Sequence, residues 1–406
     1  MKKKINIGDV KLGMFIDSLC GSWINHPFWK KSFLLDQQKD LDSLLACGTQ
    51  ELWIDTDRGA DIGSTVVQDS APTAAEDTKA EIIEPPVILV EELKRAKKIY
   101  TQGVQDVTAL FNNACSKDEF NLDRVLILVE EIRKSTARNP NAFLSLTRTK
   151  TQKDYLCLHS IAVCALMIML GRNMGMDHET IISLGVAGLL HDIGNVAFPD
   201  DLINRPGKLT MEEYDLIRTH PTIGWKILKA HRLDNIVLDV CLHHHERMDS
   251  TGYPECPPAD SLSLFAKMAA ICVAYDSLIS DNHVLFKYGI RYKKGISPAN
   301  AIREMTKWQE GQFDKAVFHA LIKTIGIYPF GTLVTLKSGR VAVVEEQSNK
   351  SLVSPVVRVF FSTRVNEPIR QDWIDLSKVP DAIERVEEAD ELSKELGIDL
   401  KIMSVI

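Results

Sequence analysis

Two short stretches limit what this chain can fold into: His191-Asp192-Ile193-Gly194, and the run His243-His244-His245-Glu246-Arg247-Met248-Asp249-Ser250-Thr251-Gly252-Tyr253-Pro254. Between them stands His220, followed by Pro221, and upstream His159 sits in an apolar run. His159, His191, His220 and the three consecutive histidines make up more than half of the eleven in the chain. Any one of them alone reads as a hydrogen-bonded core or surface residue. Their clustering points instead to a polynuclear metal site, because imidazole with carboxylate suits Zn, Fe, Ni or Mn. An adjacent His-Asp pair cannot share one bearing on a helix, but both side chains can flank one stripe. Asp192 is then placed to bridge two ions while His191 anchors one.

At 406 residues the chain exceeds one ordinary core, so two or three domains are expected. The net charge of −7, with no basic block beyond Met1-Lys2-Lys3-Lys4, argues against nucleic acid as the main partner. A small anionic ligand needs only local positive charge. The longest apolar run, Ile161 to Leu170, is too short to cross a bilayer, and no signal-peptide core follows the basic start. The eight cysteines stand singly, several of them (Cys164, Cys241, Cys272) inside apolar stretches. Reduced thiols in a cytoplasmic protein without a membrane span are expected.

Residues 1–62 alternate short strand-like pieces with turns, with a helical piece starting at Asp36 and ending near Gly48. The stretch 63–87, rich in Ser, Ala, Thr, Glu and Pro, reads as a flexible linker. Over 88–140 the period becomes helical, with Leu93, Ala96, Ile99, Tyr100, Val104 and Val107 on one stripe and Leu122, Val125, Leu126, Val129 and Ile132 on the next. The domain carrying the histidines is expected over 141–330. Helices are predicted at 154–173, 179–190, 235–245 and 262–279, with Gly194 ending the turn that carries His191 and Asp192. Thr210-Met211-Glu212-Glu213 predicts a capping box, and Pro221 a stop just after His220. Residues 331–380 switch to strands, whose Lys337, Arg340 and Arg358 read as simple solvated faces, and 381–406 read as a charged, helix-like tail.

The ordered set His191-Asp192, Pro199, Arg205-Pro206-Gly207, His220, His244-His245-Glu246-Arg247, Asp249 and Gly252-Tyr253-Pro254 resembles the HD-GYP subgroup of the HD metal-dependent phosphohydrolases. Leu12-Gly13-Met14-Phe15-Ile16, Ser22-Trp23 and His26-Pro27-Phe28 resemble a domain of unknown function found ahead of it, and Gly326-Ile327-Tyr328-Pro329 fits relatives with that module. The resemblance implies a mainly α fold: an HD-type helical metal-binding domain, a small α+β N-terminal domain and a small antiparallel β C-terminal unit. It implies two divalent transition metal ions, iron first and Mn, Ni or Zn as alternatives. The activity it implies is hydrolysis of the bacterial second messenger cyclic di-GMP by a metal-activated water, giving the linear dinucleotide, GMP or both. On that resemblance His159, His191 and Asp192 serve one ion, and Asp192, His220, His244 and His245 the second, with His191 and Asp192 catalytic. Arg205, Arg247, Asp249, Gly252, Tyr253, Pro254, Asp276, Arg291 and Lys294 are implied on the substrate side, Arg291 and Lys294 sharing a face if helical. Protein partners of the diguanylate cyclase type are implied for the N-terminal domain or the GYP loop.

Four positions depart from the family pattern. Tyr155 stands where a Glu supporting a third ion is usual, Asn195 where a Lys near the scissile phosphate is usual, and Ser250 replaces a loop Gly. Val273 replaces a metal-ligating Asp in Ile271-Cys272-Val273-Ala274-Tyr275-Asp276, and 282–290 reads as an insertion. The alternative to an enzyme is therefore a degenerate domain that binds cyclic di-GMP or a protein with little turnover.

Overall fold

Alternation with period two builds the first of two units, Met1–Glu81. Strands β1 (Lys2–Asn6), β2 (Phe15–Leu19), β3 (Phe33–Leu34) and β4 (Glu51–Asp55) form an antiparallel sheet in the order β1-β4-β2-β3. Ile5, Ile16, Leu52 and Ile54 are buried with Met14, Leu35 and Leu44. The structure is a computed structural model and describes residues 2–19, 33–35, 41, 44–45, 51–60, 87–114, 120–148, 155–199, 202–203, 209–280, 283–285, 290–293, 295–348 and 351–397. Most of the helical piece expected after Asp36, the Ser22 and His26 motifs, the linker save Val87, Arg205, Lys294 and the end of the tail lie outside the described residues.

The second unit, Ile82–Ile406, opens with helices α1 (Leu89–Asn112), α2 (Leu122–Arg138) and α3 (Pro140–Arg148). Ala96, Val107, Leu110 and Phe111 of α1 share a core with Val125, Leu128, Val129 and Ile132 of α2. Leu126, expected on that stripe, is 39% exposed, and Leu128 takes its place. The spacing 125, 128, 129, 132 explains the exchange, since it follows i, i+3, i+4, i+7. Glu92 is wholly buried near the start of α1 and accepts from Arg138 Nε and Nη2, both at 2.7 Å, and from Ser135 Oγ at 2.8 Å. Burial alone would raise its pKa, but the bonds from Arg138 and Ser135 outweigh it and hold the carboxylate below its usual value. Arg138→Ala is expected to cost about 3–5 kcal/mol, because it strands a buried charge. A lower midpoint of denaturant unfolding checks this.

Helix α4 (Tyr155–Asn173) is apolar on every side and is therefore buried on every side, from Cys157 through Gly171. Helix α5 (His178–Leu190) starts at Asp177, whose side chain accepts from Thr180 N at 2.8 Å. A Cβ on Gly188 would stand 2.9 Å from Cα and N of Cys164, so the two backbones approach as only glycine permits. By length and composition Tyr155–Asn173 and His178–Ala197 could each cross a membrane, although the run Ile161 to Leu170 alone is too short. Their apolar windows are 83% and 67% buried inside the protein, which accounts for the hydropathy. Cys164, Cys241 and Cys272 are buried free thiols, and burial pushes each pKa up.

A 3-10 turn over Ile193–Ala197 follows, then α6 (Met211–Ile217), α7 (His220–Ala230), α8 (Asn235–His243) and α9 (Leu264–Ile279). The Thr210–Glu213 capping box is formed. Pro221 does not end a helix: α6 stops at Ile217, and Pro221 lies in the first turn of α7. There the missing N–H costs nothing and the fixed φ helps. Residues 283–285 (β5) and 290–293 (β6) pair antiparallel, so Arg291 sits on a strand and the helical spacing expected with Lys294 does not apply.

Helices α10 (Pro298–Gln312) and α11 (Lys315–Ile325) lead to β7 (Leu333–Leu336), β8 (Arg340–Glu346), β9 (Val356–Ser362), β10 (Glu367–Asp375), β11 (Ile383–Glu387) and α12 (Ala389–Leu396). The sheet runs β10-β9-β8-β7-β11 and carries apolar residues on both faces. Two of its cations are paired rather than merely solvated: Arg358 Nε donates to Glu345 at 2.6 Å, and Arg340 Nη2 to Asp381 at 2.8 Å. At the start of α10 the Ser297 side chain makes no capping bond. Glu388 caps it instead, accepting from Ser297 N at 3.1 and 3.2 Å.

Candidate metal centre

Three chain turns deliver the imidazoles, and each turn fixes a tautomer. His191 follows the last residue of α5 and donates from Nδ1 to Gly188 O at 2.8 Å. His220 opens α7 and donates from Nδ1 to Ile217 O at 2.8 Å. His244 caps the C-terminus of α8 and donates from Nδ1 to Cys241 O at 2.9 Å. His159, in the middle of α4, is held through Nδ1 by Asp276 Oδ2 at 2.6 Å. A carbonyl or carboxylate accepts, so each Nδ1 carries a proton, and in the neutral ring each Nε2 keeps its lone pair.

Those lone pairs converge on Asp192. Its Oδ1 lies 3.1 Å from His220 Nε2 and 3.6 Å from His244 Nε2, while its Oδ2 lies 3.4 Å from His191 Nε2 and 3.9 Å from His159 Nε2. The ligand atoms form two groups: His159, His191 and Asp192, and Asp192, His220, His244 and His245. One carboxylate is common to both.

Two observations test whether a cation fits. His220 Nε2 and His244 Nε2 face each other at 3.1 Å, and in rings that are neutral and protonated at Nδ1 both are acceptors. His191 Nε2 is buried without a hydrogen-bond partner. Burial, then the neighbouring His191 and His220, push the His244 pKa down to about 3, and burial with His244 and His220 depresses His245 as well. Both are neutral at pH 7, which is the form that binds metal. Burial would raise the Asp192 pKa, but the surrounding imidazoles outweigh it and hold the carboxylate well below its usual value. A shared anion with imidazoles whose neutral form binds metal is what a divalent ion requires.

Gly194 makes the arrangement possible and is not a helix terminator. A Cβ there would stand 1.9 Å from His220 O and 2.7 Å from Gly224 N, so the turn bearing Asp192 lies directly on the first turn of α7. Asn195 folds back, its Nδ2 donating to Asp192 O at 3.0 Å. Its amide nitrogen is therefore committed to the backbone at the position where the family pattern has Lys.

The loop after α8 is shaped by its own residues. Tyr253 stacks on His245 at 4.6 Å, and Tyr253-Pro254 is a cis peptide. Glu246 accepts from Glu255 N at 2.7 Å and Cys256 N at 3.1 Å, and Gly252 is buried against it. Asp249 is exposed and closes its own turn by accepting from Thr251 N at 3.0 Å. The Arg247 guanidinium lies 5.0 Å over Phe313. Asp276, expected beside the substrate, is instead buried on His159 and orients that ring. Tyr155 stacks parallel to His159 at 5.7 Å, and Val273 is buried one turn before Asp276. Sequence reading missed the orienting pair because 117 residues separate His159 from Asp276. It quoted Glu246 without a role, though a Glu directly after two ligands is the available signal.

A domain of unknown function (DUF3391) matches residues 2–125, and an HD domain matches residues 132–317. The cyclic di-GMP phosphodiesterase PA4108 of Pseudomonas aeruginosa is 43% identical over 380 residues, 93% of this chain and 90% of that one. The cyclic di-GMP phosphodiesterase PdeB of Borreliella burgdorferi is 28% identical over 205 residues, covering 50% of this chain and 52% of the relative. A solved chain, Bd1817 of Bdellovibrio bacteriovorus, described as an HDG"Y"P protein, aligns over 80% of this chain and 99% of its own at 16% identity with a TM-score of 0.45. With the His-Asp cluster in place and a relative matched nearly end to end, the chain belongs to the HD-GYP family of cyclic di-GMP phosphodiesterases.

Proposed function

We propose that this protein hydrolyses cyclic di-GMP to the linear dinucleotide, GMP or both. The observation that carries the reading is the pair of ligand groups sharing Asp192, set beside a stacked Tyr253. His159, His191 and Asp192 would hold one divalent transition ion, and Asp192, His220, His244 and His245 a second, with iron the first choice and Mn, Ni or Zn the alternatives. Such ions supply Lewis acidity that activates water at neutral pH and offsets phosphoryl charge. The chain's own part is positional. Backbone carbonyls and Asp276 aim the imidazoles, Asp192 spans both groups, and Glu246 pins the loop that carries Tyr253. Arg247, Gly252 and Pro254 belong to that loop, and Arg291 on β6 is kept as a phosphate-gripping candidate.

Anaerobically purified protein should carry transition metal and release linear dinucleotide or GMP from cyclic di-GMP over many turnovers. Metal-loaded, folded protein without turnover would leave the second reading, a cyclic di-GMP-binding module, which Val273 and Asn195 favour. The two groups are unequal, three donors against four, and Asp276 is engaged by His159. An added carboxylate near a cation is worth about 4 kcal/mol at 4 Å and an effective dielectric constant near 20, before desolvation is subtracted. Val273→Asp is therefore expected to raise metal per chain and kcat together, checked by elemental analysis and product release. If neither changes in a folded variant, weak binding of the first ion does not limit the enzyme.

A further inference from the structure

Arg218 stands two residues before His220, at the C-cap of α6, where its N–H bonds to Tyr214 O and Leu216 O. Its guanidinium lies 4.8 Å over the Tyr253 ring and 5.6 Å over the Tyr214 ring. Tyr253 in turn stacks on His245, whose ring meets His220 edge-on at 5.0 Å. Arg218 is thus separated from the imidazole cluster by one aromatic ring. The ring face favours the cation but does not neutralise it. Among the described residues no carboxylate pairs with Arg218, and its Nε is buried without a hydrogen-bond partner. In a chain of net charge −7, a half-buried and unpaired guanidinium beside an anion-handling site is costly unless an external anion completes it.

Of the neighbouring positions, Arg247 lies over Phe313 with its Nη1 likewise buried without a hydrogen-bond partner, whereas Arg218 lies over the ring that stacks on His245. Position 195 has an amide turned back to the backbone. A cyclic dinucleotide carries two phosphodiesters, of which one is cut while the other remains across the macrocycle. The Arg218 guanidinium is set apart from the imidazoles by the Tyr253 ring, which points it toward the second phosphodiester rather than the one at the ligand groups. Guanidinium matches phosphate through two parallel N–H bonds, as ammonium does not.

We propose that Arg218, backed by Tyr253, anchors the phosphodiester that is not cut, and so selects two-phosphate cyclic substrates over simple diesters. The inference rests on the hydrolytic reading above. The test compares Arg218→Gln and Arg218→Lys with the unaltered protein on cyclic di-GMP and on bis(p-nitrophenyl) phosphate, which has one phosphate only. For Arg218→Gln, KM for cyclic di-GMP is expected to rise about tenfold or more, the loss of one charge-assisted contact. Its kcat, its metal content and its kcat/KM on the simple diester should stay within about twofold. Arg218→Lys should recover part of the KM. Equal losses on both substrates would make Arg218 a structural support for Tyr253 and overturn the proposal, as would no loss on either. If Arg218→Gln fails to fold, Arg218→Lys decides: an unchanged substrate ratio overturns the proposal. Failure of the substrate reading itself would show in the unaltered protein, as hydrolysis of the simple diester without that of cyclic di-GMP.

Discussion

Asp192→Ala is expected to abolish hydrolysis of cyclic di-GMP and to lower metal content at both positions together. The side chain is the one donor common to the two groups, and four imidazole nitrogens lie within 3.9 Å of its oxygens. Removing it leaves the imidazoles without the anion that would offset bound cations. Loss of an outer partner of a metal ligand costs about 10–100-fold, so loss of a shared ligand should exceed ~10³-fold in kcat. Asp192→Asn keeps the shape and loses the charge, and should fail almost as badly. Turnover within tenfold of the unaltered protein, at full metal loading, would show that the reaction runs elsewhere.

Gly194→Ala should be nearly as damaging with no change of charge or ligand. The added methyl would meet His220 O at 1.9 Å and Gly224 N at 2.7 Å, and both are backbone atoms that cannot rotate away. The turn bearing Asp192 and the first turn of α7 must then separate. Overpacking of this kind costs about 1–3 kcal/mol, and a misplacement near 1 Å at reacting groups costs about 10²-fold in rate. The two effects are read by denaturant unfolding and by kcat on metal-saturated protein. An alanine variant with unchanged stability and rate would mean that the close approach is not needed to assemble the site.

The side chains of the candidate metal centre were legible in the sequence because imidazole and carboxylate are chemically scarce and stood in an ordered series. Their setting was less so. Pro221 read as a stop because proline disfavours a helix before it, yet the same residue is well suited to a first turn, and nothing local distinguishes the two. Gly194 read as a helix end, whereas its lack of a side chain serves a contact with residues 26 and 30 positions later. Strands β10 and β11 carry charged residues such as Glu367, Arg370, Glu384 and Arg385 because they are the sheet's edges, and edge strands need not alternate. Arg291 and Lys294 would share a face only if helical, and Arg291 lies on one of two short paired strands instead. The partnership of Asp276 with His159 is a tertiary fact, invisible to any window of sequence.

Glu388 gives the chain a schedule as well as a contact. It caps the start of α10 from 91 residues downstream, where Ser297 itself makes no side-chain cap. A ribosome adding about 5–20 residues per second therefore makes α10 before its cap exists, leaving it uncapped for roughly 5–20 s. During that interval the helices bearing the histidines are already synthesised, while Ser297 N must rely on water. A transcript truncated after β10 would deliver every residue of the candidate metal centre and still lack the carboxylate that closes this helix end.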